Sequence, residues 1–272
     1  MTETTLETSA AREPAVDGPA DGAVPAPEDL AALVDVLLAE AGPGADRAEL
    51  TGAARAAFAA ERPRPLADAW WLAVPGEGYL AAFEALGLHD RIPVTVRGGE
   101  AAQGDDTKRV GGEAVHRVFV TPEYAGWRLL FAESPLGSCA WWPTTVVETL
   151  SAACGRAQLF YEDPHADAMI WIVAEGGSVV RSYWRASEPE WEGEPLPWEE
   201  VRTVDDFEDE EEYEDAYPEP NASEAQDIHL AAHHLSVNPG GIGPDTPVRG
   251  HGWLALTRAG AGHQGFGAPL TL

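Results

Sequence analysis

Cysteine and positive charge are both scarce in this chain of 272 residues, which has 2 Cys and only 17 Lys and Arg against 46 Asp and Glu. With Cys139 and Cys154 alone, neither a disulfide framework nor a cysteine-rich zinc knuckle can be built. A net charge of −29 argues against nucleic acid and anionic lipid as partners, because both are recognised by positive patches. Long hydrophobic runs are also missing. None approaches the roughly 18 apolar residues of a spanning helix, so no membrane segment is expected. The opening residues, MTETTLETSAAREPAVDGPADG, lack the basic start and apolar stretch of a secretory signal, which makes the cytoplasm the expected compartment. The 10 Trp residues, by contrast, must find packing or a ligand.

The pattern along the chain predicts an α+β protein: N-terminal helices, a mostly antiparallel sheet of about five to seven strands, an acidic disordered linker and a small C-terminal helix-strand segment. Residues 1–27 read as a disordered tail, 28–187 as the core, 188–222 as the linker and 223–272 as the C-terminal segment. Leu30, Leu33, Val34, Leu37 and Leu38 form the stripe of a first helix, and Asp46 to Ala60 a second. AWWLAVP reads as a strand, Gly76 to Leu88 as a helix, and Ile92 to Arg97 as a strand before a Gly-rich polar loop. Val115 to Thr121 and Trp127 to Ala132 form an expected hairpin, Thr144 to Cys154 a helix, Ser223 to Leu235 another, and Trp253 to Thr257 a late strand.

The stretch AQLFYEDPHADAMIWIVAEGGSVVRSYW, residues 157–184, is the densest in chemical groups. Gly176-Gly177 predicts a tight hairpin whose register would place Val173 opposite Val180 and Ile172 opposite Arg181. Arg181 would then stand on the non-core face among Ile170, Ile172 and Tyr183, as a candidate contact for a partner's anionic group. Ahead of the hairpin, Asp163, His165 and Asp167 offer two carboxylates and an imidazole to a divalent ion; the alternative is a turn in which Asp163 accepts a backbone N–H. His229 and His233, at i and i+4, have the spacing of a helical metal pair but lack the zincin glutamate. No nucleophile elbow, phosphate loop or cofactor motif occurs, so no cofactor is implied. Trp70-Trp71 and Trp141-Trp142 could stack on a sugar or flat ligand, each strand sending one ring inward and one outward.

From Glu188 to Glu219 there are 16 acidic side chains and one basic residue, Arg202, and nine of the twelve residues from Val204 to Asp215 are acidic. So dense a run is expected to be disordered in the free protein. It reads either as a spacer that keeps two parts of the chain apart or as a tether for a basic partner, with Phe207, Tyr213 and Tyr217 as apolar anchors.

The run LSAACGRAQLFYEDPHADAMIWIVAEGGSVVRSYW, with PLPWEE at 195 and LSVNP at 235, resembles uncharacterised proteins of high-GC bacteria. The resemblance covers the C-terminal half and implies no reaction and no catalytic residue. The leading expectation is a non-catalytic cytosolic binding or regulatory protein acting on a protein partner of basic character, with neither nucleic acid nor membrane involved. One alternative is a metal-assisted hydrolase using His229 and His233 or the 163–167 loop. Another is a carbohydrate- or aromatic-ligand module built on the Trp pairs.

Overall fold

The computed structural model describes residues 24–66, 69–103, 107–132, 143–185, 189–199 and 226–272. The helices are α1 (Pro27–Ala41), α2 (Arg47–Ala60), α3 (Tyr79–Ala85), α4 (Val96–Gln103), α5 (Pro143–Cys154) and α6 (Ile228–Leu235). Local chemistry accounts for their ends. Pro27 opens α1 with Glu28 and Asp29 in its first turn, and Gly42, at φ 79°, closes it. Asp46 caps α2 by accepting from the Glu49 amide at 2.9 Å.

The strands are β1 (Trp70–Pro75), β2 (His89–Val94), β3 (Thr107–Val110), β4 (Glu113–Val120), β5 (Glu123–Tyr124), β6 (Trp127–Ala132), β7 (Arg156–Asp163), β8 (Ala168–Glu175), β9 (Ser178–Arg185), β10 (Pro189–Glu192), β11 (Val248–Arg249) and β12 (Gly252–Leu256). All twelve belong to one antiparallel system whose main path runs β10-β9-β8-β7-β1-β6-β4-β12-β2. This exceeds the five to seven strands expected, since short pairings such as β5 with β11 carry almost no sequence signal. Among the described residues no helix is long and apolar enough to cross a membrane.

Both faces of the sheet are covered. Along β1, Trp71 and Ala73 join a core with α1, α2, α4 and α6, while Trp70, Leu72 and Val74 join a second core with α3 and α5. Period-two alternation thus sorts residues between two apolar layers rather than between core and water, and central strands read as continuous hydrophobic runs. The C-terminal residues lie inside this arrangement: β12 pairs with β4 on one side and β2 on the other. Strands β6 and β12 flank β4.

Two local expectations need correction. Residues 96–103, read as the end of a strand and the start of a polar loop, form α4; Thr95 accepts from the Gly98 amide at 3.0 Å, and Val96 and Ala102 pack inward. The second concerns the hairpin. Its turn is as expected, with Gly176 at φ 56° and Gly177 at φ 91°, and Ala174 lies opposite Val179. Beyond that pair a bulge at Val180 shifts the register, so Val173 meets Arg181 and Trp171 meets Tyr183. A one-residue slip exchanges faces, and it turns Arg181 into the core. Because the turn needs positive φ at both positions, Gly176→Val should destabilise the fold by about 1 kcal/mol or more. An unchanged urea midpoint would refute that requirement.

Candidate functional site

The bulge in β9 creates an unusual interior feature. Arg181, 4% exposed, meets Glu199 in a bidentate pair, Nε donating to Oε1 at 3.0 Å and Nη2 to Oε2 at 2.6 Å. Nη1 donates to the Gly193 carbonyl at 2.6 Å, and the guanidinium lies over the Trp191 ring at 4.5 Å. Glu199 Oε1 also accepts from the Leu196 amide at 2.9 Å, so neither charge is left without polar contacts.

These contacts turn residues 189–199 into a strap. They were expected to begin the acidic linker; instead β10 adds to β9 and the chain folds back across the aromatic face. The reason is the apolar content set among the acids. Trp191 meets Tyr183 at 4.5 Å between ring centroids and Trp171 at 5.8 Å, and Trp198 meets Trp171 at 5.9 Å. Gly193, at φ 82°, passes so close to the bulge that a Cβ there would lie 2.1 Å from the Val180 carbonyl oxygen. Sequence reasoning missed Glu199, Trp191 and Trp198. The available signal was PLPW, an apolar island in an acidic stretch.

The far flank of the acidic run returns to the same place. Asp227 caps α6 by accepting from the His229 and Leu230 amides at 2.7 and 3.1 Å. The buried Gln158 of β7 donates to the Leu235 carbonyl at the other end of α6, at 2.8 Å. His234 stacks on Trp198 with centroids 4.9 Å apart and planes 6° from parallel. The strap and α6 therefore touch, although 25 or more residues separate them in the sequence.

The other candidate residues are placed as follows. Arg181 is interior and engaged by Glu199, not presented to a partner. Asp163 accepts from the amides of His165 and Ala166 at 2.9 and 3.3 Å, which is the turn geometry, and Asp167 pairs with Arg185. His229 stacks over Trp71 and its Nε2 lies 3.5 Å from Glu162, while His233 lies edge-on to His234. No group of three His, Cys, Asp or Glu side chains poised for a metal occurs among the described residues. Trp70 and Trp71 are 6% and 0% exposed, both rings buried because both sheet faces are covered. Trp141, Trp142, Phe207, Tyr213 and Tyr217 lie outside the described residues, as does Cys139. Cys154 is half-buried against the Gly78 carbonyl, and burial pushes its thiol pKa up, away from thiolate chemistry.

Fold and site together define an antiparallel α+β protein, its sheet covered on both faces, with an acidic run held at both flanks. Compared with protein-family models, curated proteins and solved structures, the chain matches none.

Proposed function

We propose that this is a cytoplasmic, non-catalytic binding or regulatory protein that captures a basic protein partner through the acidic run between Glu199 and Asp227. The observation that carries this reading is the placement of the two flanks. Trp198 and His234 stack on each other, and the residues beyond them supply β12 to the same sheet. A spacer needs two bodies to hold apart, and the run instead leaves and re-enters one. Residues 200–225 gather twelve acidic side chains against one basic one. Mutual repulsion makes that concentration unfavourable by itself, and a cationic surface relieves it. Phe207, Tyr213 and Tyr217 would supply apolar contacts within the charged strip.

Pull-down with intact protein and with residues 204–215 deleted, at about 50 mM and 500 mM salt, tests the reading. The intact protein should retain one basic protein at low salt and release most of it at high salt, since exposed charges are screened within about 10 Å at 0.1 M. The deletion should capture none while keeping the same melting temperature. A Phe207→Ala, Tyr213→Ala, Tyr217→Ala variant keeps every charge and should lose capture in part. Equal capture by all proteins at both salts would refute the proposal.

A further inference from the structure

In a protein of net charge −29, one surface region runs against the average. The end of α2, the following segment ERPRPL, the start of α4 and Leu272 enclose a cleft of about 400 Å³. Arg62, Arg64 and Arg97 all line it, with Thr95 and Glu61. The volume falls within the range of small-molecule sites, roughly 300–1,000 Å³.

The polar groups around the cleft have different duties. Glu61 accepts from the Val96 amide, and Thr95 Oγ1 accepts from the Gly98 amide at 3.0 Å, so the opening amides of α4 are already capped. Arg64 pairs with Glu100. Arg62 donates through Nη1 to the carbonyls of Ala59 and Glu61, at 3.3 and 2.7 Å, which steadies the side chain and leaves its other nitrogen edge unengaged among the described residues. Arg97 is exposed and has no side-chain partner among the described residues. Prolines on both sides of Arg64 restrict the backbone that carries it, and Pro63 also separates it from Arg62. Planar guanidinium groups held around one concavity suit oxyanions, which they bind through two parallel N–H···O contacts.

We propose that this cleft binds a small organic polyanion carrying at least two phosphate or carboxylate groups, with Arg62 and Arg97 as its principal contacts and Arg64 as the third cation. A single inorganic anion would fill only a fraction of the volume. The inference is independent of the acidic run, which lies in another part of the chain. The protein's overall charge makes the site readily testable, because its general field repels anions and supplies no non-specific binding.

The test is calorimetric titration of the full chain with pyrophosphate and, separately, citrate at constant ionic strength, with melting temperature as a second readout. At least one should bind saturably and raise the melting temperature. Binding by pyrophosphate alone marks a phosphate site, and binding by citrate alone a carboxylate site. Arg62→Ala with Arg97→Ala should weaken Kd tenfold or more, and Arg62→Lys with Arg97→Lys should restore only part of it, since ammonium groups cannot make the paired contacts. Both residues are exposed, so these variants should fold normally. Arg185→Ala, on β9, should bind like the parent. Saturable binding of neither anion, or equal binding by the Arg62/Arg97 double-alanine variant, would overturn the proposal.

Discussion

Arg181→Leu should destabilise the protein by about 3–5 kcal/mol, the usual consequence of leaving one partner of a buried ion pair without the other. Glu199 is fully buried at the carboxylate, and losing Arg181 would leave it, among the described residues, the Leu196 amide alone. Glu199→Gln should cost less, because an amide can still accept from the guanidinium. A double variant, Arg181→Met with Glu199→Leu, should recover much of the loss, since two apolar side chains need no mutual compensation in that interior. Urea denaturation of the parent, Arg181→Met, Glu199→Leu and their double variant closes a cycle that gives the coupling. Tryptophan fluorescence reports the strap, because Trp191 and Trp198 are held against Trp171 by the same segment. If both single variants lose less than about 1 kcal/mol, the pair does not hold the strap down.

Acid should weaken the fold well before the carboxylates titrate, and His263 is the main reason. Its ring is 2% exposed and contacts the Asp90 carbonyl through Nε2. Burial lowers its pKa to about 4, with Arg117 and Lys108 acting in the same direction against the hydrogen bond and charge of Asp90. The unfolded chain binds this proton near pH 6.5 and the folded one only near pH 4. Stability is therefore fully present above pH 6.5 and falls as pH drops through that window, by about 1.4 kcal/mol per unit and about 3 kcal/mol in all. Burial also lowers the pKa values of His116 and His251, adding to the loss. Glu61 works the other way: burial raises its pKa, so its contribution favours the fold below its unfolded value and is lost as pH rises through the folded one. Denaturant midpoints at pH 7.5, 5.5 and 4.5 for the parent and His263→Gln isolate the effect, because relief of the general acidic repulsion is common to both. The variant should show a clearly shallower decline, and parallel curves would show that His263 does not titrate as described.

Much of the fold was legible because most elements carry local signals. The stripe of α1, the start of α2 near Asp46 and the Gly176-Gly177 turn each depend on residues close together in the chain. The site was far less legible, and the cause is one residue. Nothing in SVVRSYW announces that Val180 is a bulge, because bulges are imposed by what packs on the strand, here the turn at Gly193. Without it, alternation assigns Arg181 to the wrong face and hides its link to Glu199, 18 residues later. Trp70-Trp71 misled for a related reason: a sheet covered on both faces leaves no outward ring. The cleft beside ERPRPL was invisible because Arg97 and Leu272 reach it only through the fold.

The order of strands also governs how the chain can be made. On the main sheet path β2 pairs with β12 alone, through contacts such as Val94 with Gly252, and β12 also completes the outer side of β4. At synthesis rates of 5–20 residues per second, β2 waits roughly 10–30 s for its partner to be translated. Through that interval β2 and β4 carry open edges, and open edges are templates for pairing with other chains. Both stretches have features that blunt this hazard. Pro93 removes one donor from the edge of β2, and charged Asp90 and Arg91 precede it. Lys108 and Arg109 of β3 pair along the first half of β4 and set charge beside it before β12 exists. The late arrival of β12 thus makes the final step of folding a non-local one, and in such topologies closure rather than helix formation limits the rate.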